Sequence, residues 1–582
     1  MLTTRLSTPA ALLAMCGLGG LAMAAPPAVL DYVPSDAPIV LTVANLGELM
    51  ADVTRVNTAL GDQGNMMVPM MMGMMGGLPG VDLTGSMAIV INSADFENLD
   101  PSAVSMILPI ADMDALVEAM QGRVENGVVL LSMQGQELAL KSLGGGFAVA
   151  GQSADAVRGF AGNAGHLAAN QARLGASGTE LVSGGDVTLM VNIQALRPMI
   201  EPQLEGMMEQ AEMMAAGNPA GGELPAEAMQ AAIERFLAEA SMGVVSVSAD
   251  ELGVGLNVAT QFRAETELAN LFGAEANAHE LLKRVPGGAY YFAGAADLSW
   301  PGFETLVEVA TNAIAQAQEA QPDAAGMMSN MGNIDLAAML ENAQGYAQVV
   351  SVNPAGMQAG LLKNSATYIA STDAAGLVEM HKQTNQAADG SAGGGISIAS
   401  FYEAGATTIG GVELDAYGTT FSADQNSMVG GASPAMMMQM FFGPDMGPKG
   451  YVGRLENGMM QTTTQDEAFV TKAIDAAKNG NGLGADEGVS EIADRLPSGR
   501  FFELFIGTDH LLNNVAPMLA MFGLIDGFEP TGDMPPMAAG LSGHSGGFNF
   551  GLFIPLEVIE VGAEMAPDEP TPDTGANEDP EF

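Results

Sequence analysis

The sequence predicts an α+β fold in which antiparallel sheets carry amphipathic helices packed on one face, built from repeated strand–helix units. Three observations predict it. A short apolar strand leads into an amphipathic helix at several points, other segments alternate apolar and polar residues, and the chain has 582 residues of which 48% are hydrophobic. A chain of this length is expected to form several domains with a core each.

The first 24 residues are predicted to be a cleavable signal peptide. Arg5 is the only charge before residues 10–21, which form an apolar run. Ala22 and Ala24 supply the small residues at −3 and −1 that signal peptidase requires. We therefore expect export across a bacterial-type inner membrane, cleavage after Ala24, and a mature protein in the periplasm or outside the cell.

Cys16 is the only cysteine of the chain and lies within the predicted signal. A lipoprotein is a second interpretation of this segment, but a lipobox needs a small residue before the cysteine, and Met15 is not small. A buried amino-terminal helix is a third, disfavoured by Pro26 and Pro27. The mature chain then has no disulfide, thiolate metal site or cysteine nucleophile.

The chain is strongly acidic, with 68 Asp and Glu against 19 Lys and Arg and a net charge of −49. Such a charge opposes binding to nucleic acid and to anionic lipid. It favours solubility and the binding of cations. No apolar run of 18 residues follows the signal, so no transmembrane segment is expected after signal cleavage.

A unit made of a strand, a polar residue and an amphipathic helix recurs along the chain. Three copies are entered through a proline, which cannot continue a preceding element, and a fourth lacks it. The polar residue is of a type that caps helices, and apolar residues follow it at helical spacing. The copies are expected at 33–60, 285–314, 496–524 and, less regular, 185–208, with the polar residues Asn45, Asp297, Thr508 or Asp509, and Asn192.

The order of these elements indicates two related halves. A further strand–helix segment lies between two units in each half, through Ser153 in the first and Asp466 in the second. We infer a signal peptide at 1–24, a first half at 25–275, a second at 276–563, and an acidic disordered tail at 564–582. Segments that alternate like antiparallel strands with one solvated face are 128–134, 137–143, 243–249, 252–262 and 548–554.

These features resemble bacterial exported proteins that are defined only as a domain of unknown function. The likeness rests on the strand entered through proline and followed by a helix, on the strand sequences at 255–258 and 547–550, and on the strand–Ser/Asp–Ala–helix segments. It covers most of the mature chain through loose motifs. It implies an α+β fold and an extracytoplasmic location, and it offers no active residues to transfer.

Methionine is unusually frequent, with 43 residues, many in clusters at 66–75, 207–214, 327–331, 436–440 and 534–537. Thioethers select Cu(I), so one interpretation is a copper site. The clusters follow the helices of the units, which favours apolar lids or core packing, since methionine is a flexible filler. A groove for an apolar ligand or a partner protein is the third interpretation. No metal ligand is assigned.

No catalytic motif is complete. Residues 543–547 fit the G-x-S-x-G pattern around Ser545, but a strand follows and no histidine lies after His544, so a glycine-rich hairpin turn is the better interpretation. Carboxylates are too numerous to single out an acid and a base. The other histidines form no close ligand pair: His166, His279, His381 and His510.

The sequence therefore predicts an exported, non-enzymatic binding or structural protein of the periplasm or cell exterior, with no cofactor and an unidentified ligand or partner. The alternatives are a methionine-rich copper-binding protein and an enzyme without a recognisable motif. An enzyme is expected to bring polar residues together in a cleft, and a binding protein to present a methionine-lined apolar groove.

Overall fold

In a computed structural model, the described strands form one large antiparallel sheet, and the helices pack against it. The predicted signal peptide, the tail beyond residue 565, and the methionine clusters at 66–75, 207–214 and 327–331 lie outside the described residues. The described residues are 25–61, 79–93, 100–133, 136–201, 226–274, 276–303, 342–354, 356, 359–393, 396–423, 434–521 and 532–565.

Residues 25–275, the first of the two halves inferred from the sequence, contribute the first ten strands. They are β1 Ile39–Val43, β2 Met87–Ile91, β3 Val104–Pro109, β4 Arg123–Glu125, β5 Val128–Met133, β6 Gln136–Gly144, β7 Phe147–Gly151, β8 Val187–Asn192, β9 Ala240–Ala249 and β10 Gly253–Phe262. The named helices of this half are α1 Leu46–Ala59, α2 Met113–Ala119, α3 Ala154–Gly159, α4 Leu167–Gly184, α5 Ala226–Glu239 and α6 Glu267–Leu271.

The second half, residues 276–563, contributes the remaining strands. They are β11 Tyr290–Ala296, β12 Ala343–Ser351, β13 Ser365–Ser371, β14 Ala392–Gly393, β15 Ile396–Ile409, β16 Val412–Ala423, β17 Lys449–Leu455, β18 Gly458–Thr462, β19 Arg500–Ile506, β20 Met537–His544 and β21 Gly547–Pro555. Its helices are α7 Ala278–Leu282, α8 Ala374–Ala388, α9 Pro434–Phe442, α10 Glu467–Asn479, α11 Glu487–Ala493, α12 Thr508–Met521 and α13 Leu556–Met565.

Neighbouring strands of the sheet are antiparallel throughout the described residues, and the strand order runs outward in two directions from the central β10–β21 pair. One run is β10, β9, β8, β1, β2, β3, β7, β6, β5, β4. The other is β21, β20, β19, β11, β12, β13, β18, β17, β16, β15, with β14 beyond it. Apart from β14, the two runs visit their strands in the same chain order.

Helices cover both faces of the sheet, so the predicted packing on one face is wrong. In β7, Val149 belongs to the core under α4, whereas Ala148 and Ala150 belong to the core under α2. In the second half, α7, α10 and α11 pack on one face and α8 on the other. The physical reason lies in runs such as MAIVI and FAVAG, which are apolar at every position and are typical of strands buried on two faces.

Local structure follows the sequence closely where short-range hydrogen bonds decide it. Asn45 caps α1 by accepting from the backbone N–H groups of Gly47 and Glu48. Ser153 caps α3 and Asp466 caps α10 in the same way. The strands predicted from apolar alternation at 128–134, 137–143, 243–249 and 252–262 are also confirmed; they are β5, β6, β9 and β10, in which β5 pairs antiparallel with β6 and β9 with β10.

The four predicted unit segments differ in how much of each is described. Segment 33–60 contains β1 and α1, and segment 496–524 contains β19 and α12. Segment 185–208 contains β8 and helical residues 193–201, and segment 285–314 contains β11 with helical residues 302–303. The rest of the last two segments lies outside the described residues.

None of the described helices has the length and apolar character needed to cross a bilayer.

Candidate functional site

A cavity of about 580 Å³ opens where β11, β19 and β20 meet α11 and α12. We call it the acidic cavity, because its polar lining consists largely of carboxylates. Apolar side chains of the turn between β9 and β10, of α11 and of the approach to β20 complete its wall. Its lining includes Tyr290, Asp486, Glu491, Asp509, His510, Asp533, Leu252, Val489, Ile492 and Met534.

Two of these carboxylates, Asp486 and Asp509, lie at the amino-terminal ends of helices. Asp486 caps α11 by accepting from the backbone N–H of Gly488 at 3.1 Å. Asp509 lies in the first turn of α12, where the positive end of the helix favours an acidic side chain. Asp509 is 6% exposed, and one oxygen lies 3.3 Å from Nδ1 of His510.

Gly507 brings the start of α12 against β11. Its backbone N–H donates to the carbonyl of Tyr291 at 3.1 Å. A Cβ atom at this position would lie 2.1 Å from the carbonyl oxygen of Tyr290, so a larger residue would push the two segments apart. The absence of a side chain therefore lets Asp509 and Tyr290 line the same cavity.

Tyr290 is the most unusual group of the acidic cavity. The residue is 7% exposed, and its hydroxyl has no hydrogen-bond partner among the residues that the structure describes. Burial raises the pKa of this phenol, and the charges of Asp486 and Asp509 raise it further. The hydroxyl is therefore neutral at physiological pH, and both its donor and its acceptor capacity are unused.

A second cavity, of about 480 Å³, occupies the corresponding place in the first half. We call it the arginine cavity; its lining includes Arg173, Arg263, Asn192, Gln194, Gln261, Ser241, Met242 and Ser545. Asn192, the last residue of β8, donates its backbone N–H to the carbonyl of Pro38, just before β1. Gly507, which follows β19, donates in the same way to the carbonyl of Tyr291 in β11, so the two residues correspond. Two residues further on, the first half has Gln194 and the second has Asp509.

The hairpin turns beside the two cavities also correspond. The N–H of Phe262, the last residue of β10, donates to the carbonyl of Gly546 at 3.1 Å. The N–H of Leu556, which follows β21, donates to the carbonyl of Leu252 at 3.1 Å. The two cavities thus lie at matching positions about the central β10–β21 pair. Their charges are opposite.

His279 and Arg500 line a further cavity of about 600 Å³, and both contact a buried carboxylate behind its wall. We call these three groups the charged triad: Glu503, which is 0% exposed, lies 3.0 Å from Nδ1 of His279 and 2.9 Å from Nε of Arg500. The other ring nitrogen of His279 lies 2.9 Å from the carbonyl of Gly484, and Arg500 also donates to the carbonyls of Leu496 and Pro497. These groups satisfy one another, which is the pattern of a structural ion pair network.

The serine of the G-x-S-x-G match is in a hairpin turn, as predicted. His544 pairs with Gly547, so Ser545 and Gly546 are the two residues that connect β20 to β21. Both have positive φ, 50° and 79°, as a two-residue turn between antiparallel strands requires. The strand-to-helix turn of a hydrolase serine is not formed there.

The histidines and methionines named from the sequence are dispersed over the described chain. His279 belongs to the charged triad, His510 lines the acidic cavity, and His381 is half-buried against the rings of Tyr402 and Tyr417. Residues 436–440 are part of α9. The described residues contain no group of three or more His, Cys, Asp or Glu side chains able to hold a metal ion.

Sequence reasoning did not single out Tyr290, Glu503 or Arg173. A tyrosine in an apolar strand resembles a core residue, and one carboxylate among 68 acidic residues carries no distinguishing mark. The one available signal was Asp509, which stands at the polar position of the third repeated unit.

Comparisons with family models, with curated proteins and with solved structures find no match to this chain.

Proposed function

We propose that the protein is an exported, non-enzymatic binding protein that holds a small organic cation in the acidic cavity. The carboxylates of Asp486, Glu491, Asp509 and Asp533 supply the negative charge that a cation needs. The apolar part of the lining suits a ligand that joins an ammonium group to a short hydrocarbon body.

The hydroxyl of Tyr290 is the observation that carries this proposal. A buried hydroxyl without a partner costs about 1–3 kcal/mol, and phenylalanine would fill the same space without that cost. An ammonium group in the cavity would donate a hydrogen bond to the hydroxyl oxygen, which has no other partner among the described residues. The lone hydroxyl beside Asp486 and Asp509 is therefore interpreted as a ligand contact.

The test is calorimetric titration of the mature protein with n-butylamine, using n-butanol as the neutral ligand of similar shape. We expect n-butylamine to bind and n-butanol not to bind. Asp509→Asn should weaken n-butylamine binding about tenfold or more, because a charge-assisted contact is lost. Glu456→Gln, in the exposed turn between β17 and β18, is the matched control for loss of one charge and should change nothing.

Tyr290→Phe separates a ligand contact from a packing defect. Removal of the lone hydroxyl should raise the free energy of unfolding of the free protein by about 1 kcal/mol and weaken n-butylamine binding at the same time. If n-butylamine does not bind the wild-type protein, or binds Tyr290→Phe and Asp509→Asn as tightly, the cation proposal is wrong.

The place of action that we propose is outside the cytoplasm, on the basis of residues 1–24. Export with cleavage after Ala24 gives a mature chain that begins at Ala25. Amino-terminal sequencing of the exported protein tests this. A mature protein that begins with lipid-modified Cys16 would contradict it.

We also propose that residues 25–275 and 276–563 are two related halves of one duplicated unit. The support is the shared strand order on either side of the β10–β21 pair. The two halves, produced as separate chains in one cell, should assemble through that pair and purify together. If the two fragments are insoluble or do not associate, the division of the chain at residue 275 is wrong.

A further inference from the structure

Arginines without a side-chain partner are few among the residues that the structure describes, and two of them line the same cavity. Among the described arginines, the side chains that form ion pairs are those of Arg55, Arg123, Arg158, Arg197, Arg235, Arg495 and Arg500. Arg284 donates to backbone carbonyls. Arg173, Arg263 and Arg454 form no side-chain hydrogen bond or ion pair with described residues, and the first two line the arginine cavity.

Arg173 is held in this position by the shape of α4. The helix is interrupted at Gly175, which has φ 67° and ψ −171°, and Arg173 lies on the turn before that kink. Burial lowers the pKa of the Arg173 guanidinium, and the charge of Asp36 opposes the shift. A guanidinium remains charged in proteins, so a half-buried one with no paired carboxylate is a place where an anion lowers the free energy.

The neutral lining of the arginine cavity is oriented by the backbone. The side-chain amide of Gln194 donates to the carbonyls of Leu237 and Ala240. The side-chain amide of Gln261 donates to the carbonyls of Phe262 and Gly546, each at 3.2 Å. These bonds hold the Gln261 side chain in place, with its Oε1 atom buried beside Gly175 at the kink of α4. The arginines are therefore the groups of this cavity that can bind an anion.

We propose that the arginine cavity is a second binding site, for a small carboxylate. The carboxylate binds Arg173 and Arg263, the two arginines of the cavity wall. A guanidinium binds a carboxylate through paired N–H groups, which gives this contact both strength and orientation. The volume of about 480 Å³ is within the range of small-molecule sites.

The test is calorimetric titration of the mature protein with acetate and with acetamide, which has a similar shape and no charge. Salt at about 0.15 M limits the reach of the other charges to about 8 Å. We expect acetate to bind at one site and acetamide not to bind. Arg173→Gln and Arg263→Gln should each weaken acetate binding about ten- to hundredfold, as loss of a charge-assisted hydrogen bond implies.

Arg454→Gln is the control, because Arg454 is exposed on β17 and lies outside the cavity. It should leave acetate binding unchanged. n-Butylamine titration of the same variants, with their far-UV circular dichroism, verifies that they are folded and separates this site from the acidic cavity. No saturable acetate binding, acetate binding that survives both arginine substitutions, or equal binding of acetate and acetamide would overturn the proposal.

Discussion

The strand pairs β1–β8 and β11–β19 occupy matching places in the sheet, and their fourth paired positions differ in chemistry. In the first half this position holds Thr42 and Thr188, and Ser246 of β9 lies on the other side of Thr188. The hydroxyl oxygens of Thr188 and Ser246 are 3.2 Å apart, and Ser246 donates to the carbonyl of Leu181. All three side chains are 1% exposed, so the first half has a buried hydroxyl row.

The second half has the charged triad at the same position. Glu503 stands where the first half has Thr188, and its strand partners are Ala295 and Gly540. A Cβ atom at Gly540 would lie 2.8 Å from Cδ of Arg500, so the lack of a side chain there makes room for the arginine. The triad connects α7 to β19 through His279.

The difference shows that the same position of the sheet can hold either neutral hydroxyl groups or a group of ionised side chains. Hydroxyls bonded to one another and to the backbone carry little cost when one is removed. Buried ions depend on their partners, because a charge left alone in the interior is strongly unfavourable. The second half is therefore expected to be the more sensitive to substitution at this position.

The largest effect is expected from Glu503→Gln. The substitution keeps the shape of the side chain but leaves Arg500 and His279 without their carboxylate, which should lower the free energy of unfolding by about 3–5 kcal/mol. Urea unfolding followed by fluorescence measures this directly. Trp300, the only tryptophan, is 3% exposed and stacks on Phe501 of β19 with ring centroids 4.0 Å apart.

A second substitution distinguishes charge imbalance from general damage. Arg500→Met added to Glu503→Gln should cost less than the sum of the two single changes, since the double variant has one fewer unpaired charge. Strict additivity, or a loss below about 1 kcal/mol in Glu503→Gln, would contradict the role given to the triad.

Acid should destabilise the second half through protonation of His381. Burial lowers the pKa of His381 to about 4, with Asp415 opposing the shift. The unfolded chain then binds the proton at higher pH than the folded chain. Stability should therefore fall by about 3 kcal/mol as the pH drops from about 6.5 to about 4, and be fully present above this range.

His381→Phe is the variant that isolates this effect. Phenylalanine packs between Tyr402 and Tyr417 without a titrating group, so the stability reported by Trp300 should vary less between pH 6.5 and pH 4. In the first half, burial raises the pKa of Asp186, which has the opposite sign: that group favours folding as the pH falls. An unchanged acid dependence in His381→Phe would refute the assignment.

The smallest effect is expected from Thr188→Val. The substitution preserves side-chain volume and removes one hydroxyl from the row, which should lower the free energy of unfolding by about 1 kcal/mol. Because Trp300 reports on the other half, far-UV circular dichroism is the appropriate measurement. If Thr188→Val lowers the free energy of unfolding as much as Glu503→Gln does, the two positions are equally sensitive to substitution and the comparison is wrong.

The sequence by itself determined the local elements of this protein. The caps at Asn45, Ser153 and Asp466, and the hairpin turn at Ser545, depend on hydrogen bonds and backbone angles within a few residues. Apolar alternation likewise predicted the strands β5, β6, β9 and β10. Such features are encoded by neighbouring residues, so periodicity and residue type were sufficient.

Only the tertiary structure decided which polar groups meet. Glu503 and His279 are 224 positions apart in sequence, and no local pattern marks either of them. The same holds for the covering of both sheet faces, where small and apolar residues on alternate positions of β7 contact different helices. A chain with 68 acidic residues offers many equivalent carboxylates, and long-range strand order selects the few that become buried or line a cavity.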